Sequence, residues 1–293
     1  MSFKSGVILI LLSAAAWGLG GVCGQFLYQF HGVTAPWLIA VRQVLAGFIF
    51  LGYLLLRGEN IFRIFADKRD TKDQLAFSFL GLLGAQFGFY YTISLCHAAT
   101  ATVLQYTSPV FVMLWMSFKS RRLPEGREFL GIIFALVGVF LISTHGDINN
   151  VVLSPEALVI GLISAVSLAF YTVQPMCLLQ KFSTTLVVGW GQLLSGTLLC
   201  FFVNPFEPTG SWDTGAVIAF IYLVIGATVL SYSLFLLGLK VVGSTKASLI
   251  SCAEPLASII AVVLWLKTPL TAVDLIGMAC IIITVILLSI PKK

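Results

Sequence analysis

Ten apolar runs, each long enough to cross a bilayer and parted by short polar breaks, leave this chain little choice of fold. They lie at Gly6–Phe26, Thr34–Leu56, Gln74–Cys96, Ala99–Lys119, Glu128–Thr144, Ala157–Leu178, Thr184–Asn204, Asp213–Gly238, Ser244–Leu266 and Thr271–Ile290. A helix needs about 20 residues to span the hydrocarbon core, so ten of them use most of the 293 residues and leave no room for a separate soluble domain. Asp, Glu, Lys and Arg make up only 10% of the chain, against about 25% in a soluble domain. That deficit excludes an ordinary cytosolic enzyme, a nucleic-acid binder and a disordered chain. The runs are continuous rather than alternating, which reads as helices and not as barrel strands. Lys4, Val7–Leu12 and Ala14–Ala16 also resemble a signal peptide, but the apolar stretch continues past them and reads as a first span.

Basic residues orient the spans. With the amino terminus inside, the cytoplasmic side receives Lys4, Arg57, Arg63, Lys68, Arg69, Lys72, Lys119, Arg121, Arg122, Arg127, Lys181, Lys240, Lys246, Lys292 and Lys293 of the 17 Lys and Arg. Lys267 alone falls outside, and Arg42 lies within a helix. This bias places both termini in the cytoplasm of a multi-pass plasma-membrane protein. Trp37, Trp212 and Trp265 fall at outer helix ends, where an aromatic belt is expected.

The chain also repeats itself. Ala99–Thr144 aligns without a gap on Thr245–Ile290 at an offset of 146, bringing Pro109 onto Pro255, Glu128 onto Asp274 and Gly131 onto Gly277. Gly84, Ala85 and Tyr90 match Gly226, Ala227 and Tyr232, Gln43 and Gly47 match Gln192 and Gly196, and Leu12–Ala14 weakly match Ile163–Ala165. The halves are residues 1–145 and 155–293, five spans each. Because five is odd, the second copy enters the membrane from the opposite side. The reading is an all-α membrane protein whose ten transmembrane helices form two inverted five-helix repeats. The loop Lys119–Glu128 holds four basic residues, whereas its copy Leu266–Thr271 keeps only Lys267, as inversion requires. Two halves that pack alike can exchange conformations around one central site.

The polar residues inside the spans mark that site. Arg42 and Glu254 are the two deep charges, each of which must face protein or water. Both are read as substrate-binding residues, with proton coupling a further role for Glu254; a structural ion pair between them is the plainer alternative. Pro109 and Pro255 free the carbonyls of Gln105 and Ser251 and are read as hinges in two corresponding broken helices. Trp17, Gln86, Tyr90, Gln105, Tyr106, Tyr171, Gln174, Trp190, Tyr232 and Ser251 complete a substrate-binding pocket of aromatic walls and neutral hydrogen-bonding groups, with interhelical packing as the alternative for each one. Spans five and ten are almost wholly apolar and read as lipid-facing scaffold or a homodimer contact. Gly18, Gly20, Gly21 and Gly24 lie within a span and read as close helix packing through Gly20 and Gly24, or a hinge, not a dinucleotide loop. The six cysteines contain no Cys-x-x-Cys and read as buried thiols. His31, His97 and His145 read as solvated outer residues, so no metal and no cofactor are expected.

With these features the chain resembles the EamA type of the drug/metabolite transporter superfamily. The resemblance is carried by the duplicated five-helix unit, Arg42, Tyr-Thr-Ser-Pro at Tyr106–Pro109, Cys-Ala-Glu-Pro at Cys252–Pro255 and Asp-Leu-Ile-Gly at Asp274–Gly277. The charged pairs expected at the ends of spans four and nine are degenerate, at Ser120–Arg122 and Leu266–Thr268. The resemblance implies a secondary carrier, not an enzyme, that moves small organic metabolites such as amino acids or amphiphilic compounds, commonly as an exporter. An intramembrane lipid-modifying enzyme or lipid flippase is the alternative of a different class.

Overall fold

The computed structural model describes residues 2–119, 121, 126–144, 153–242, 250, 253–267 and 270–289, and all its regular elements are helices. Helix α1 is Phe3–His31 and α2 is Ala35–Leu56. Helix α3 runs through Lys68–Ala76, a π-helical Phe77–Leu83 and Gly84–Leu95. The fourth span is divided into α4, Ala98–Gln105, and α5, Ser108–Lys119. Helix α6 is Gly126–Thr144, α7 runs through Pro155–Val173 and Met176–Lys181, and α8 is Thr184–Cys200. Helix α9 runs through Thr214–Ile221, a π-helical Tyr222–Leu230 and Ser231–Val242. Helices α10, Ala253–Leu264, and α11, Ala272–Ser289, follow. Among the described residues, α1, α2, α3, α7 and α9 are long and apolar enough to cross a membrane, and four shorter apolar helices accompany them.

The ends are set by capping. The Asp67 carboxylate accepts from the backbone N–H of Arg69 at 2.7 Å and of Asp70 at 3.2 Å, satisfying donors that the first turn of α3 leaves free. Ser154 and Asp213 do the same for Ala157 and Ala216 at the starts of α7 and α9. Helix α1 stops at Gly32, whose φ of 65° is the left-handed conformation glycine tolerates best.

The packing has an internal symmetry that exchanges the two halves. Helix α2 packs on α8, its own counterpart, with no room for a side chain at the crossing. A Cβ on Gly47 would stand 2.7 Å from the Leu193 backbone, and one on Gly196 would stand 2.7 Å from the Val44 backbone. These two contacts are the same contact read from either half, since Val44 matches Leu193 as Gly47 matches Gly196. Partner numbers fall in α8 as they rise in α2, with Gly189 meeting Phe50 and Leu51. Equivalent helices therefore point in opposite directions.

Helices α6 and α11 repeat the pattern. Gly138 meets the Gly277 carbonyl, and the Thr284 hydroxyl donates to the Gly131 carbonyl at 3.1 Å. The remaining major pairs exchange with each other: α1 packs on α9 as α3 packs on α7. Ser13 donates to the Ser231 carbonyl, and its counterpart Ser164 donates to that of Ala85. The repeats are inverted.

Two expectations change. Trp37 is buried against Trp212, with ring centroids 5.4 Å apart, so this pair joins the two halves instead of facing lipid. Cys177 is exposed, whereas Cys23 is buried, and Cys252 lies outside the described residues.

Candidate functional site

The site begins at the middle of α2. Arg42 is 3% exposed, and its Nη1 donates to the Thr228 hydroxyl at 3.1 Å. Its Nη2 donates to the Gln86 amide oxygen, and the guanidinium lies 4.3 Å from the centre of the Tyr90 ring. Thr228 lies in the π-helical stretch of α9. There the Thr228 hydroxyl donates five residues back, to the Leu223 carbonyl at 2.8 Å, which leaves its oxygen to accept from Arg42. Since Arg42 can only donate, the amide of Gln86 must turn its oxygen to the guanidinium and its N–H donors away. Gln86 Nε2 then donates to the Tyr232 hydroxyl at 3.4 Å. Tyr171 meets Tyr232 from α7, and Trp17 approaches it from α1 with centroids 5.3 Å apart.

Glu254 forms the second pole. It accepts a hydrogen bond from the Tyr106 hydroxyl at 2.9 Å, tying α10 to the break between α4 and α5. The Thr107 N–H returns to the Leu104 carbonyl there, and the next helix starts at Ser108. Gly18 lets α1 reach the backbone of α10, where a Cβ would lie 2.7 Å from the Glu254 carbonyl oxygen. Among the described residues Arg42 and Glu254 form no ion pair. Instead Tyr90 and Tyr232 lie within electrostatic reach of both.

The structure thus brings Trp17, Arg42, Gln86, Tyr90, Tyr171 and Tyr232 together, with Tyr106 and Glu254 alongside. Gln105 is engaged elsewhere, donating to the Ala85 carbonyl at 3.0 Å and to Ser164 at 2.7 Å. Gln174 donates to the Asp73 carbonyl at 3.0 Å, near the cytoplasmic end of α3. Trp190 donates to the Ile61 carbonyl at 2.7 Å and packs on Phe62 and Phe65, so it holds the loop between α2 and α3. Pro255 is buried in the first described turn of α10. Pro109 lies in the first turn of α5, where its missing N–H breaks no ladder. Ser251 and the side chain of Pro109 lie outside what is described. Thr228 and Phe235, the latter 5.3 Å from Trp17, join the cluster beyond the expected set. Their signals were the match of Thr228 to Gln86 and the helical spacing of Phe235 from Tyr232.

The EamA-like transporter family matches this chain twice, at residues 4–144 and 156–290. The uncharacterized inner membrane transporter YicL of Salmonella typhimurium is 36% identical over 292 residues, covering 100% of this chain and 97% of that protein. A crystal structure of a protein of no further description superposes with a TM-score of 0.64 at 19% identity, over 97% of this chain and 96% of that one. At that identity the likeness is one of fold alone.

Proposed function

The chain belongs to the EamA-like transporter family, and from that premise we propose a secondary carrier of small organic metabolites working by alternating access. One observation carries the mechanism. Equivalent helices cross in opposite directions at Gly47 and Gly196, while the polar centre draws Gln86 from one half and Tyr232 from the other. Two such halves, residues 1–145 and 155–293, can trade conformations and so present one centre to each face in turn.

The centre suits an amphiphilic solute or an amino acid. Trp17, Tyr171 and Tyr232 supply aromatic surface, and Gln86, Tyr106 and Glu254 supply polar contacts. Export is the direction that the family resemblance favours. The test is a thermal-shift screen of metabolites on the purified protein, followed by counterflow in proteoliposomes. A carrier exchanges labelled for unlabelled solute, with rates that saturate. Product formation in detergent would mark an enzyme instead, and conductance far above carrier turnover would mark a channel.

A further inference from the structure

The guanidinium of Arg42 stands where the two halves meet as equals. Its hydrogen-bonded partners, Gln86 and Thr228, are equivalent residues of the two repeats. Tyr90, beneath it, is equivalent to Tyr232, which the Gln86 amide reaches on its other side. A cation shared by equivalent residues lies close to the pseudo-two-fold axis, so an opening on either face approaches it alike. A carrier's binding site must have that property.

The cation is also left without a paired counter-charge: among the described residues Arg42 takes part in no ion pair. Arg42 is nevertheless almost fully buried, and its Nε–H finds no protein acceptor. A lone charge this deep is costly, and a guanidinium has five N–H donors, of which two are used here. The partners it meets among the described residues are two neutral acceptors, Thr228 and Gln86, and the Tyr90 ring face.

We propose that Gln86 and Tyr232, backed by Arg42, bind an oxyanion of the transported solute, a carboxylate or a phosphate. This rests on the carrier reading above. Arg42 is a positioning residue: it turns the amide N–H donors of Gln86 toward the half-buried interior and lends them positive potential. The solute's acid group accepts from Gln86 Nε2 and the Tyr232 hydroxyl and provides the charge that the protein withholds. The same donors serve the inward-facing and outward-facing states because their support is symmetric.

The test is a thermal-shift screen of the full-length protein with matched arms: organic carboxylates, organic phosphates, amines, and the neutral amides of the same carboxylates. Acids are expected to stabilise, with each amide weaker by about tenfold or more. In Gln86→Glu the new carboxylate occupies Arg42, and acid binding is expected to fall by about tenfold or more. Tyr232→Phe, a milder change, is expected to weaken acids severalfold and their amides less, since a hydrogen bond to a charged acceptor is the stronger one. A purely structural role for Arg42 would not move this acid-to-amide ratio. Hits confined to amines or neutral solutes, or acid binding that survives Gln86→Glu unchanged, overturn the proposal. Counterflow separates the two readings. An acid that binds but is not exchanged removes the carrier and keeps the site, whereas exchange of neutral solutes alone keeps the carrier and removes the site.

Discussion

Gly47 and Gly196 occupy equivalent places in the two halves, and each admits the backbone of the other's helix, at Leu193 and Val44. The obstacle to a side chain at either place is main chain, which cannot turn aside. Gly47→Ala and Gly196→Ala are therefore expected to destabilise the protein by about 1–3 kcal/mol each, as overpacking does. Gly52, on the same helix, has open space where its Cβ would go, and Gly52→Ala is expected to be neutral or mildly stabilising. Denaturant or thermal unfolding in detergent measures all three, and equal effects would remove the crossing as a structural constraint.

Gln43 and Gln192, another equivalent pair, are fully buried, and neither end of either amide has a hydrogen-bond partner in the protein. An unsatisfied buried polar group costs about 1–3 kcal/mol. Leucine has a similar volume and no polar atoms. Gln43→Leu and Gln192→Leu are expected to raise the thermal midpoint, and the double variant to raise it further. A falling midpoint would mean that both amides are satisfied by internal water.

Much of this fold was legible before any coordinates, because lipid permits so few solutions. Continuous apolar runs gave the helices, and the offset of 146 together with the loop charges gave the inversion. The site was legible only in part. Arg42 and Glu254 announced themselves as lone charges, yet whether they pair depends on how α2 and α10 rotate about their axes, which periodicity does not encode. Trp190 and Gln174 stand apart from the Arg42 cluster, bonded to the Ile61 and Asp73 carbonyls. Trp190 lies six residues after Thr184, about 9 Å from the cytoplasmic end of its helix, too shallow for a midplane site. The π-helical stretch that holds Thr228, Arg42's partner, leaves no mark in hydropathy.

Asp67 ties the stability of the cytoplasmic end of α3 to pH. The backbone N–H groups of Asp70 and Arg69 hold its carboxyl below the ordinary carboxylate value, which is about 3.9 for aspartate. A carboxylate lowered on folding stabilises fully above that ordinary value and loses its contribution as pH falls through the lowered one. The difference in thermal midpoint between the parent and Asp67→Ala is expected to be constant near neutrality and to shrink on acidification. Asp67→Ser, an uncharged cap, is expected to show a smaller deficit with less pH dependence. A deficit that grows in acid would contradict the capping role.

Inversion also sets which loops face which compartment. Single cysteines at Arg63, in the loop between α2 and α3, and at Ser211, before α9, are exposed enough to label. In right-side-out cells an impermeant maleimide is expected to label Ser211→Cys at once and Arg63→Cys only after permeabilisation. Labelling of both from outside would break the topology.

Glu254 offers the sharpest separation of shape from charge. Its carboxylate takes a 2.9 Å hydrogen bond from Tyr106, joining α10 to the broken fourth span. Glu254→Gln keeps the size of the group and an oxygen to accept from Tyr106, so the fold is expected to hold with little change in thermal midpoint. What it removes is the charge, and a charge within the membrane is costly and commonly marks a substrate or proton pathway. Counterflow is expected to fall at least about tenfold, equivalent to losing one charge-assisted contact. Tyr106→Phe leaves the charge in place and removes one donor, so a smaller loss is expected. Full transport by Glu254→Gln at equal expression, with an unchanged pH profile, would reduce Glu254 to a fastening between spans four and nine.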